Sequence, residues 1–271
     1  MQLNRESMEK AFQQMVQRAF LLPEISAVKV RDVVLERKED LPGRIRRAMD
    51  AGWHDVLSDV DVCVVVRKNP EENTDENVYM HRLDRFGFGA ENCLGRCFVA
   101  ENKMARIITR KGMRYDFGFS FVPDEGAPLW QMEPGPGLEE NSHWPLWKME
   151  EFWFVQVQAL AKLYRRDYLI ADHLAHRNLN ETLVQQMVLR DIEKGTCHHR
   201  YGDGEKAVYE KHLSVYHDHG KKQDDRFCSI ARKLYAAAAA YDELMQVFYP
   251  GMQQRSSLFS ELWNAYDAGM A

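Results

Sequence analysis

The sequence predicts an α+β chain, with strands and short helices up to residue 140 and a helical bundle from 141 onward. Two observations carry that reading. Apolar residues alternate one by one through residues 59–66 and 113–122, the period of a half-buried strand, whereas beyond residue 145 they recur at helical spacing. Between these regimes, residues 123–144 are rich in Pro, Gly and acids, with Glu133-Pro134-Gly135-Pro136-Gly137 at their centre. The chain is therefore read as domains 1–140 and 141–271.

The elements follow in order. Met8, Phe12, Met15, Val16 and Phe20 place an amphipathic helix over residues 5–20, ended by Leu22-Pro23. Residues 27–35 (AVKVRDVVL) read as one strand. Residues 39–51 form a short helix, with Pro42 near its first turn and Gly52 just past its end. Then Gly52-Trp53 leads into a strand in which Val60, Val62, Val64 and Val66 share one face. Asp59 and Asp61 stand together on the other. Residues 68–77 are a polar loop. Residues 97–99 and 104–109 read as short strands, and Lys111-Gly112 as the turn into a partner strand over 113–122. That strand puts Tyr115, Phe117, Phe119 and Phe121 on one face, and Arg114, Asp116, Gly118 and Ser120 on the other. With this hairpin beside the Asp59 strand, three carboxylates converge; without it, Asp116 is an acid on a solvated face. After the boundary, residues 146–175, 179–193, 226–247 and 257–268 read as helices, helped by the alanine run at 236–240.

Composition narrows the function. The net charge of -5 and the lack of a Lys/Arg-dense block give no pull toward nucleic acid. No apolar stretch approaches the roughly 20 residues that span a bilayer, and the polar, mixed-charge N-terminus is no signal peptide. Five cysteines, an odd number, suggest reduced thiols in a cytoplasmic protein.

Two acids one residue apart on one strand face repel each other, a cost that a divalent cation between them removes. Their hard oxygens favour magnesium, commonly completed by substrate phosphates. The pattern points to metal-dependent phosphoryl or nucleotidyl transfer; the plainer alternative is a solvated loop-to-strand junction. Elsewhere, Cys197-His198-His199, His212, His217 and His219 fit no compact zinc pattern and read as a polar loop. Trp144, Trp147, Phe152, Trp153 and Phe154 read chiefly as core. Gly87-Phe88-Gly89 and Gly202-Asp203-Gly204 read as turns.

These residues together resemble the nucleotidyltransferase superfamily, and within it the antibiotic-modifying aminoglycoside adenylyltransferases and lincosamide nucleotidyltransferases. Ser58-Asp59-Val60-Asp61 followed by valines is similar to that family's Ser-Asp-x-Asp strand, and Asp116 to its third acid. Phe152-Trp153-Phe154 with Ala161-Lys162-Leu163-Tyr164-Arg165-Arg166-Asp167 resembles the aromatic start and Lys-x-x-x-Arg segment of the aminoglycoside 6-adenylyltransferase helical domain. The family carries Gly-Ser at the end of the preceding strand; here the chain reads Val34-Leu35-Glu36-Arg37.

The resemblance implies a nucleotidyltransferase-type mixed sheet with flanking helices. It further implies transfer of a nucleoside monophosphate from a magnesium-bound triphosphate, with ATP expected, to a hydroxyl of a small acceptor such as an aminoglycoside or lincosamide. Asp59, Asp61 and Asp116 would be the catalytic and metal-binding acids. Ser58, Lys162 and Arg166 would contact the nucleotide, with Arg37 or Arg44 holding its phosphates in place of the missing Gly-Ser, and Asp116, Glu150 or Glu151 would take the acceptor's proton. The alternative is a catalytically impaired nucleotide-binding or regulatory protein of the same fold.

Overall fold

A computed structural model describes residues 4–37, 40–71, 82–89, 91–99, 104–128, 141, 143–197, 206–215 and 224–269. The chain is α+β and divides into two compact units. The first comprises Met1–Leu138 with Asn264–Ala271, the second Glu139–Trp263.

The first unit is built on a six-stranded mixed sheet in the order β2-β1-β3-β6-β5-β4. Its elements are α1 (Arg5–Leu21), β1 (Ile25–Val30), β2 (Val33–Glu36), α2 (Leu41–Gly52), β3 (Asp59–Lys68), a 3-10 turn (Leu83–Phe86), β4 (Cys93–Val99), β5 (Met104–Thr109) and β6 (Arg114–Pro123). Strands β3 and β6 run parallel, while the β1–β2, β1–β3, β4–β5 and β5–β6 pairs are antiparallel. Helix α1 opens with a reciprocal cap between Asn4 and Ser7, which satisfies amides at its first turn.

The valines at 60, 62, 64 and 66 and the rings of Tyr115 and Phe117 are fully or almost fully buried, in one cluster with Phe12, Val16 and Met49 of the helices. Phe119 and Phe121 are only partly buried against that cluster. Phe86, Phe88, Tyr115 and Phe117 meet ring to ring at 5.1–5.3 Å between centroids. Gly87, at φ 88°, ends the 3-10 turn in the left-handed region, so the Gly87-Phe88-Gly89 turn is present.

Residues 27–35 differ from the expected single strand: they form the hairpin β1–β2. Val30 pairs with Val33 across the two-residue loop Arg31-Asp32, and Arg31 takes φ 52°, as a tight hairpin loop requires. Residues 72–77 of the expected loop, most of the Pro/Gly-rich boundary, and Gly202-Asp203-Gly204 lie outside the described residues.

The second unit contains α3 (Leu146–Tyr164), α4 (Tyr168–Lys194), α5 (Val208–Leu213) and α6 (Asp225–Phe248). The last helix, α7 (Ser256–Gly269), is divided between the units after Trp263. Its first turn is held by the buried carboxylate of Asp242, which accepts from the Ser256 amide at 2.6 Å.

The expected continuous helix over 146–175 is broken at Arg165-Arg166-Asp167. The amides of Arg166 and Asp167 donate back to the carbonyls of Leu163 and Lys162, and Arg166 takes φ 60°. This is a Schellman stop with arginine where glycine is usual. Gly195 and Thr196 stop α4 in the same way, with Gly195 at φ 65°.

Trp144, Phe152, Trp153 and Phe154 are buried as expected, but Trp147 is 52% exposed. Phe152 stacks on Tyr241 at 3.6 Å, and Trp144 donates to the Tyr241 hydroxyl. A buried amide chain ties three helices together: Asn178 donates to Gln156, and Gln156 to the carbonyl of Leu234. The His-rich segment contains α5, which was not expected. There His212 and Lys211 meet Glu243, while His198, His199, His217 and His219 lie outside the described residues. All five cysteines are free. No described helix is long and apolar enough to cross a membrane.

Candidate active site

The approach to β3 is a turn closed by its own side chains. Asp55 Oδ1 accepts from the Leu57 amide at 2.9 Å and from the Ser58 hydroxyl at 2.8 Å, and the Ser58 amide donates to the Asp55 carbonyl. This is the local competition with helix that Asp and Ser offer, and it releases the chain straight into the valine-rich strand. Ser58 is buried in that turn, immediately before Asp59.

Register then assembles the acids. Asp61 pairs with Asp116 across the parallel β3–β6 ladder, and Asp59 pairs with Arg114. Since Val60 pairs with Tyr115 and Val62 with Phe117 on the buried face, Asp59, Asp61 and Asp116 all lie on the opposite face. Asp59 and Asp61 are exposed, whereas the Asp116 side chain is only 15% exposed.

Two arginines complete this face. Arg106 of β5 pairs with Asp116 from the other side and brings Nε to 3.5 Å from its carboxylate. Arg114 is buried, donates Nη1 to the Leu57 carbonyl at 2.8 Å and holds Nη2 3.8 Å from Asp59. Burial pushes the Asp116 carboxyl above its usual range. Arg106 pulls it back, Asp59 and Asp61 push it up again, and Arg114 opposes them. The acids therefore feel one another's charge.

Carboxylate oxygens are the hard donors that magnesium takes, and their placement on one face suits it. Among the described residues, however, no group of three His, Cys, Asp or Glu side chains stands close enough to hold a metal ion. The acids match such an ion in kind and share one face, but they do not converge as a three-ligand set, and Asp59 and Asp116 each lie against an arginine.

The other expected contacts are placed differently. Arg37, just past β2, donates to the carbonyls of Leu22 and Ile25, and Arg44 of α2 to that of Val34 at 2.7 Å. Both guanidinium groups hold main chain together. Lys162 and Arg166 belong to the second unit. Lys162 lies 3.5 Å from Asp167, and Arg166 is the left-handed residue that stops α3. The two therefore do not share a helix face, contrary to their spacing. Glu151 is bound by Arg177, and Glu150 is buried.

Sequence reasoning missed Arg106 as a member of the acid face. Its signal was present, as a charge between Ala105 and Ile107 in an alternating strand, but the strand's neighbour was not readable. No protein-family model matches the chain, and neither a curated protein nor a solved structure matches it.

Proposed function

We propose that this chain is a nucleotidyltransferase-type enzyme. It would move a nucleoside monophosphate from a magnesium-bound triphosphate, ATP in the first instance, to a hydroxyl of a small molecule, with pyrophosphate released. An aminoglycoside or lincosamide is the acceptor that the sequence resemblance suggests. The pairing of Asp61 with Asp116, with Asp59 on the same face, is the observation that carries this reading.

Asp59 and Asp61 would present their oxygens to the cation, with Asp116 beside them. When bound, magnesium supplies charge neutralisation on the reacting phosphate and fixes the line of displacement. Asp116, mostly buried and with raised proton affinity, is suited to accept the acceptor's hydroxyl proton at a carboxylate oxygen, because a base titrating nearer neutrality is more effective. Arg106 and Arg114 would steady the acids and limit their mutual repulsion.

The same arginines favour a second reading, a nucleotide-binding or regulatory protein in which Arg106 and Arg114 neutralise the acids and no turnover follows. Pyrophosphate release from each of the four nucleoside triphosphates, with magnesium and a panel of hydroxylated antibiotics, separates the two. Acceptor-dependent release supports the enzyme. Magnesium-dependent triphosphate binding by calorimetry without release with any acceptor supports the regulatory protein. Absence of both overturns both readings.

A further inference from the structure

We propose that the groove between α1, the 3-10 turn and the β5–β6 turn binds a small organic anion that carries a planar ring. This groove lies on the other face of β6 from Asp116, since it is floored by Tyr115, and so is separate from the acids. Its volume is about 330 Å³, at the lower end of the roughly 300–1,000 Å³ of small-molecule sites.

The floor is apolar and aromatic: Met15, Phe86, Phe88 and Tyr115, all buried. Among its described lining residues the charged ones are Arg18, Arg110 and Lys111, and none is acidic. In a chain of net charge -5 this is a local reversal of sign. Gln14 adds a polar side chain at the rim, while Asn92 donates to Glu91 and the Thr109 hydroxyl is bonded to the main chain of Met113.

Neither Arg18 nor Lys111 makes a hydrogen bond or ion pair with a described residue. Arg18 lies across Gly87, where an added Cβ would clash with its Nη1, so the absence of a side chain at Gly87 lets the guanidinium approach the groove. An apolar floor suits the apolar part of a ligand, such as a ring, and a guanidinium with an ammonium at the rim takes a phosphate or carboxylate. Neutral ligands would leave the cations unused.

Calorimetry of the full chain at low ionic strength with phenyl phosphate tests this, with inorganic phosphate and benzyl alcohol as its two halves. Phenyl phosphate is expected to bind at least about tenfold more tightly than either half, because ring and anion act in one site. The exposed pair Arg18→Gln and Lys111→Gln together should weaken it about tenfold or more, and added salt should weaken it too. Asp61→Asn should leave it unchanged, which keeps this site distinct from the acid face. The proposal is overturned if phenyl phosphate gives no binding up to about 10 mM, far weaker than the roughly micromolar to millimolar range of small-ligand sites. It is equally overturned if inorganic phosphate binds as tightly, if the double variant binds unchanged, or if Asp61→Asn removes the binding.

Discussion

The β3–β6 pair shows two surfaces of opposite character on the same backbone. On one, Val60, Val62, Tyr115 and Phe117 are buried against α1, α2 and the aromatic residues of the 3-10 turn. On the other, Asp59, Asp61, Asp116, Arg106 and Arg114 gather in one charged patch. Every residue that steps along these strands changes face, so the packing that fixes the buried side also fixes the charged side. Stability resides on one surface, and the proposed chemistry on the other.

That separation can be broken from the apolar side. Phe117 is fully buried and touches Phe86 and Phe88. Phe117→Ala should destabilise the first unit by about 3–5 kcal/mol, through lost transfer free energy plus a cavity. Urea unfolding followed by circular dichroism measures it; a loss below about 1 kcal/mol would mean that the site collapses around the smaller side chain.

From the charged side the comparison sharpens. Asp59→Asn and Asp61→Asn should each reduce turnover about a hundredfold or more, as loss of charge stabilisation in the transition state does. Both side chains are exposed, so the melting curves should stay close to wild type. Equal turnover in both variants at saturating magnesium would remove these acids from the mechanism.

The smallest effect concerns Asp116. Its carboxyl is pushed up by burial in the first place, so the native state binds its proton more tightly than the unfolded chain does. That ionised group therefore costs stability above its native pKa. The cost fades as pH falls toward the unfolded value, about 3.9. Asp116→Asn should consequently be as stable as wild type or up to about 1 kcal/mol more stable at neutral pH, the lost contact with Arg106 offsetting part of the gain. The advantage should shrink toward acid pH. Magnesium and triphosphate together should raise the wild-type melting temperature more than that of the variant. A variant that is less stable at neutral pH, or that shows the wild-type ligand shift, would separate Asp116 from the other acids.

The two faces were not equally legible in the sequence. Burial is periodic, so the alternation of valines and aromatics sufficed for β3 and β6 and for the side on which each acid lies. The pairing of Asp61 with Asp116 was stated only as a condition, because no local signal says which strand lies beside which. Two breaks were hidden for a related reason. Arg31 and Arg166 hold positive φ without glycine, against local preference, where hairpin pairing and helix-stop hydrogen bonds outweigh it. Arg37 and Arg44 are cations near the strand end where Gly-Ser is missing, which points them to phosphate. Carbonyls that need a donor are invisible in sequence, and these arginines meet such groups at Leu22, Ile25 and Val34.

The parallel ladder also has a history within each folding event. Hairpin β1–β2 and the antiparallel run β4–β5–β6 join neighbours in the chain, whereas the partners in β3 and β6 are 55 residues apart. Local pairs are expected to close early and this one late. A nascent chain that has left the ribosome only as far as β5 carries Asp59 and Asp61 with no partner for them. The acid constellation comes into being in the same step that pairs Val62 with Phe117, so no form in which β3 and β6 are apart holds the complete set.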